Sequence, residues 1–198
     1  MPSFFLNLVN SPFRKISLGI FICYVIINGI FAGLGYHDDP DKRVRGTDAV
    51  YYFIYLPSII FDHDLDFKNN IESVYGKGFK MRLASTGKPL NHWAIGSAML
   101  WAPFYLFAHF LTLTSNFLFQ LNLPDQGYGG LYFLSIYLAN SVYGLLGTLV
   151  TIRLLLTRFS LIPVALAAFA LLSATQITYY FSSFTTMSHL PSFFITAL

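Results

Sequence analysis

The chain has 198 residues, 55% of them hydrophobic and only 11% charged, with 12 Lys and Arg against 9 Asp and Glu. Soluble domains carry about 25% charged residues, so the polar coat of a water-facing surface is missing. One cysteine, Cys23, leaves no intrachain disulfide and no cysteine-built metal site, and no basic cluster is dense enough for a nucleic-acid groove.

Residues 16–35 form an uncharged run behind Arg14 and Lys15, long enough at 1.5 Å per residue to cross a hydrocarbon core of ~30 Å. No A-x-A-like cleavage site closes it, so it reads as an uncleaved first span with residues 1–15 on the cytoplasmic side. Residues 36–130 then form a long loop that holds sixteen of the 21 charged residues between His37 and His92. A second span is expected at 131–152, a short cytoplasmic loop with Arg153 and Arg158 at 153–160, and a third span at 161–181. Residues 182–189 return outside and 190–198 open a further span that the sequence does not complete, as in the N-terminal portion of a longer protein. No Asp, Glu, Lys or Arg occurs from Phe159 to the last residue.

The stretch 93–113 is uncharged and long enough to cross, yet Pro103, His109 and the Trp93, Trp101 and Tyr105 set suit an interface. Loop charges arbitrate. If it crossed, Arg153 and Arg158 would fall outside; if it lies in the interface, they share the cytoplasmic side with Arg14 and Lys15, as the positive-inside tendency prefers. Placed outside, the long loop carries eight basic residues matched by eight acidic ones.

Within that loop, Val50, Phe53, Ile54, Pro57 and Phe61 recur at helical spacing and predict an interfacial helix over 48–61 with Tyr51, Tyr52 and Tyr55 at the headgroup boundary. Pro57 kinks it or ends its regular part. Asp48 in the first turn suits capping of free N–H groups. Asp62, Asp64 and Asp66 alternate with other residues, so an extended backbone would gather three carboxylates on one side. A calcium loop begun at Asp62 fails, with Phe67 where Gly is needed and Ser73 where Glu is needed. Lys77, Lys80, Arg82 and Lys88 make 76–91 a basic loop that suits anionic headgroups or a phosphate group. His92 and His189 each border an apolar run. No GxSxG, Walker A, HExxH or CxxC pattern occurs.

The order of Gly46-Thr47-Asp48, Tyr51-Tyr52, Asp62-His63-Asp64-Leu65-Asp66-Phe67, Asn69-Asn70, His92-Trp93-Ala94-Ile95-Gly96, Ala102-Pro103-Phe104-Tyr105 and Met187-Ser188-His189 resembles bacterial GT-C glycosyltransferases. The likeness is to relatives of protein O-mannosyltransferases and lipid A aminoarabinose transferases. It implies an all-α, polytopic membrane helical bundle of the inner membrane whose first loop is extracytoplasmic and contains juxtamembrane helices. It also implies transfer of a sugar from a polyprenyl-phosphate donor to an extracytoplasmic acceptor, with inversion. Asp48 matches the position of the family's catalytic acid. Where members carry Asp-Glu this chain has Asp48-Ala49, so a second carboxylate's duty is either missing or moved to Asp62 or Asp64. Lys80, Arg82 or Lys88 would offset the charge of the donor phosphate, with His92 and His189 as further binding candidates. The resemblance names no cofactor, and a divalent cation is left open.

Two other classes stand beside the enzyme. A transporter places ionisable residues inside its spans, where this chain offers only Asn28, Asn140 and Gln176. A non-enzymatic membrane scaffold would use the acidic loop as solvated surface.

Overall fold

The structure, a computed structural model, describes residues 12–35, 47–182 and 186–198. The predicted cytoplasmic segment through residue 11, the start of the loop at 36–46 and residues 183–185 lie outside the described residues. Those described are mostly helical, with no strand beyond one isolated antiparallel bridge.

The predicted first span lies within α1 (Pro12–Gly35). The expected interfacial helix comes in three pieces: α2 (Thr47–Phe53), α3 (Tyr55–Pro57) and a π-helical turn (Ser58–Asp62). Pro57 ends the regular part because it lacks the N–H that an α-helix would use there. Next come α4 (Lys68–Tyr75), α5 (Gly96–Phe119) and α6 (Gly130–Leu155). Both α5 and α6 are long and apolar enough to cross a membrane.

The run expected as one span over 161–181 is divided into α7 (Leu161–Ala174) and α8 (Ile177–Ser182), followed by α9 (His189–Ala197). Its 14-residue first part reaches ~21 Å, short of a full crossing. Hydroxyls serve the backbone groups left open at the break. Thr175 and Thr178 donate to the carbonyls of Leu171 and Leu172, and the Thr175 hydroxyl also accepts from the Ile177 N–H at 3.3 Å, so side chains replace the helix ladder.

Two compact units divide the chain. One takes α1, the C-terminal part of α6, α7, α8 and α9 around a core of Ile20, Tyr24, Ile152, Val164, Ala168 and Leu190. Close packing at small residues brings these helices together. Gly144 and Gly147 supply it: a Cβ on Gly144 would lie 3.3 Å from Leu190, and one on Gly147 would lie 2.8 Å from the Phe193 ring. Thr148 donates to the Gly144 carbonyl at 2.8 Å, which leaves Tyr24 as donor across the 3.5 Å to Thr148 Oγ1.

The other unit spans 39–139 with 186–188. Its core sets Val50, Phe53 and Ile54 of the α2 region against Trp101, Tyr105 and Ala108 of α5 and Tyr132 and Ile136 of α6. Aromatic contacts dominate: Phe53 stacks on Phe133 at 5.0 Å and meets Tyr105 and Tyr128 edge-on. Burial of Val50, Phe53 and Ile54 on one side leaves Asp48 exposed on the other.

Candidate functional site

Of the candidate site residues Asp48, Asp62, Asp64, Lys80, Arg82, Lys88, His92 and His189, all but His189 fall in the second unit. His189 opens α9 in the first, with its ring 4.0 Å from that of Tyr180, and no part of the site is built on it.

Asp48 stands in the first turn of α2, exposed and without a hydrogen bond or ion pair among the described residues. Tyr51 and Tyr52, three and four positions on, share its side of the helix. Both hold Trp93. Tyr51 stacks on the indole at 4.9 Å and Tyr52 meets it edge-on at 6.4 Å, while the His92 ring lies 3.7 Å from it. Two polar bonds fix this segment to the helical stretch: Tyr55 donates its hydroxyl to the Trp93 carbonyl at 2.8 Å and Asn91 donates to the Tyr51 carbonyl at 2.8 Å, while within the segment the Trp93 N–H donates to Asn91 Oδ1 at 3.1 Å. Burial raises the Tyr55 phenol above its ordinary value. The outcome is an open carboxylate beside a braced aromatic surface.

The acidic stretch is a turn and not an extended segment. Ser58–Asp62 is π-helical and His63 is left-handed, with φ 58°. The buried Ser58 hydroxyl closes the turn on Asp64, 2.9 Å from its carbonyl oxygen, and Asp64 Oδ1 accepts from the Asp66 N–H at 3.0 Å. Asp66 Oδ1 accepts from the Lys68 N–H at 3.3 Å. Asp62 is held by side chains alone among the described residues, whereas Asp64 and Asp66 also accept from backbone N–H groups. Its Oδ2 receives the amides of Asn69 at 2.9 Å and of Asn70, which is buried, at 2.8 Å. Burial pushes the nearby Tyr128 phenol up to about 12; the amide of Asn70 and the hydroxyl of Ser73 oppose that rise and the Asp62 charge adds to it.

The basic loop is partly ordered as a ribbon. Leu83 pairs with Pro89, Ala84 N–H donates to the Lys88 carbonyl and Leu90 N–H to the Arg82 carbonyl, both at 2.8 Å. This register puts Arg82 and Lys88 on the same side of the ribbon. Gly87, at φ 77°, supplies the turn that few other residues accept. Lys88 reaches Asp66 at 3.8 Å and so ties the ribbon to the acidic turn. Lys80 and Arg82 are exposed and have no ion pair among the described residues.

The geometry thus brings His92 and Trp93 onto Tyr51, on the helix side that carries Asp48, and joins Lys88 to the acidic turn through Asp66. Residues 40 apart in sequence carry no pairing signal, and for Asp62 the only hint was the Asn69-Asn70 doublet at the start of a helix. No group of three or more His, Cys, Asp or Glu able to hold a metal ion occurs among the described residues.

Comparison with protein-family models, with curated proteins and with solved structures finds no match to this chain. What the fold itself defines, among the described residues, is a mostly helical chain with two helices long and apolar enough to cross a membrane.

Proposed function

We propose that the chain carries the base of a membrane glycosyltransferase that moves a sugar from a polyprenyl-phosphate donor to an extracytoplasmic acceptor. The observation that carries this reading is the exposed Asp48 carboxylate on the same helix face as Tyr51 and Tyr52, beside Trp93 and His92. A pyranose ring has an apolar C–H face that suits the electron-rich face of an aromatic ring, and its hydroxyls suit a neighbouring carboxylate and imidazole.

In the reaction, Asp48 takes the proton of the acceptor hydroxyl as that oxygen bonds to the anomeric carbon. The bond from that carbon to the phosphate oxygen breaks, and polyprenyl phosphate leaves with the electron pair. A single displacement inverts the anomeric centre. Arg82 and Lys88, on one side of the ribbon, and the exposed Lys80 supply cations suited to the phosphate dianion. Asp62 and Asp64 supply acceptors for sugar hydroxyls, with Asp62 oriented by Asn69 and Asn70.

Asp48→Asn, reconstituted with a radiolabelled polyprenyl-phosphate sugar, is expected to lose ~10²–10⁴-fold in transfer while still inserting in membranes. Transfer at the parent rate would refute the role. A non-enzymatic scaffold draws support from Asp48 having no orienting partner among the described residues, and a parent protein inactive with every such donor would favour it.

A further inference from the structure

Helix α5 passes a length and composition test for a membrane crossing, but what is packed along it argues against one. At 1.5 Å per residue its 24 residues extend ~36 Å, and Tyr105 and His109 lie ~14 and ~20 Å from its start. Phe61 packs on both, with ring centroids 6.3 and 5.0 Å away. The next three residues, Asp62, His63 and Asp64, are exposed. Were α5 upright in a bilayer, two carboxylates would therefore stand near its midplane, where such groups are strongly disfavoured.

The segment after the helix makes the same case independently. It doubles back along α5: Asn116 holds Leu123 through both backbone groups, at 2.9 and 2.7 Å, and Tyr105 donates to the Gly127 carbonyl at 2.9 Å. Residues 120–129 are not helical, and Leu121, Asn122, Pro124 and Gln126 among them are exposed. Irregular backbone cannot stand in hydrocarbon without partners.

The opposite side of α5 is of another kind. Met99, Leu106, Phe107, Phe110, Leu113 and Phe117 are all exposed, from 46% to 84%, and fall on one side of the helix at steps of three, four and seven. Ser97, Ala98, Trp101, Tyr105, Ala108 and Thr112 occupy the reverse side and are buried.

We propose that α5 lies along the membrane surface, with the Met99-to-Phe117 stripe immersed in acyl chains and the Asp62 turn held above it at the water boundary. The occupant is lipid and not protein: Thr114, on the same side, turns its hydroxyl back onto the Phe110 carbonyl and leaves the stripe no free polar group to orient a partner, and α6, which follows, is itself long enough to cross. The proposal is independent of whether the chain transfers sugars.

Single cysteines at Met99, Phe110 and Phe117, in a Cys23→Ser background, would be labelled with an environment-sensitive fluorophore and reconstituted with lipids bearing nitroxides high or low on the acyl chain. Leu146→Cys, in the middle of α6, serves as the deep reference. All three α5 labels are expected at one shallow depth, roughly 5–10 Å below the headgroups, and quenched more by the high nitroxide. Strongest deep quenching at Phe110, with shallow ends, would show a crossing and overturn the proposal. Absence of quenching on α5 with a normal Leu146 response would mean that protein covers the stripe, which also overturns it. Loss at Leu146 as well would remove the membrane setting altogether.

Discussion

The Tyr132 hydroxyl lies 2.6 Å from His109 Nδ1 and 3.0 Å from the Asp125 carbonyl oxygen. A carbonyl can only accept, so the one phenolic proton points to Asp125 and His109 must donate from Nδ1. One side chain of α6 thereby holds α5 and the returning loop together. Removing that hydroxyl in Tyr132→Phe leaves the ring in place but strands a donor and an acceptor, at a cost of about 1–3 kcal/mol. Amide hydrogen exchange should accelerate through residues 123–129 and stay unchanged in α4. Equal protection in both proteins would show that the Tyr105 and Asn116 bonds hold the loop unaided.

Gly147 sets how closely α9 approaches α6. An added Cβ would lie 2.8 Å from Phe193 Cδ1 and Cε1 and 3.2 Å from the Phe194 Cα, so both a ring and a backbone atom must move. Gly147→Val is expected to destabilise this packing by about 1–3 kcal/mol. Gly19→Val, where nothing lies within 4 Å of the added carbon, is the matched control. Proteolytic sensitivity of the C-terminal segment in detergent is the readout, and equal sensitivity in the two variants would count against the close contact.

Several elements were legible because charge and turn chemistry mark them directly. Arg14 and Lys15 fix where the first apolar run begins, and Pro57 marks the end of the α-helical path before the π turn. The division at Thr175 was not legible, since 161–181 is uniformly apolar enough to span; only hydroxyls taking carbonyls away from the ladder reveal it. For the site, sequence picks out residue types that carry chemistry but not their neighbours. Asp48 and His92 were visible as titratable groups, whereas the Tyr51–Trp93 stack between them arises from packing between residues 42 apart. Alternation of Asp62, Asp64 and Asp66 suggested an extended strand, and the left-handed His63 defeats that periodicity.

Alkaline titration should expose the environment of Tyr128. Its folded phenol lies at about 12 against an ordinary 10.0, chiefly because burial disfavours the phenolate. The unfolded chain therefore releases this proton first as pH rises. The stability contributed by the neutral phenol is complete below pH 10 and is lost as pH approaches 12. Tyr128→Phe is expected to flatten the stability profile in that window, and near-ultraviolet phenolate absorbance should lose one late-titrating group. A variant with the same alkaline slope as the parent would assign the effect to other tyrosines.

The Asp62–Asn70 bond is a suitable pair for charge reversal. Asn70 donates at 2.8 Å to Asp62 Oδ2 from a position only 2% exposed, while Asp62 itself is open to solvent. Asn70→Asp puts two carboxylates in contact and is expected to destabilise the unit by about 1–3 kcal/mol at neutral pH, with recovery in acid as one of them takes a proton. The exchange Asp62→Asn with Asn70→Asp restores an amide and a carboxylate in reversed order. If proximity is what matters, the double variant should regain about half or more of the loss, a coupling that unfolding measurements in detergent can resolve. Full additivity of the two single effects would mean that the amide and carboxylate do not interact, and that the Asp62 carboxylate is positioned by the π turn alone.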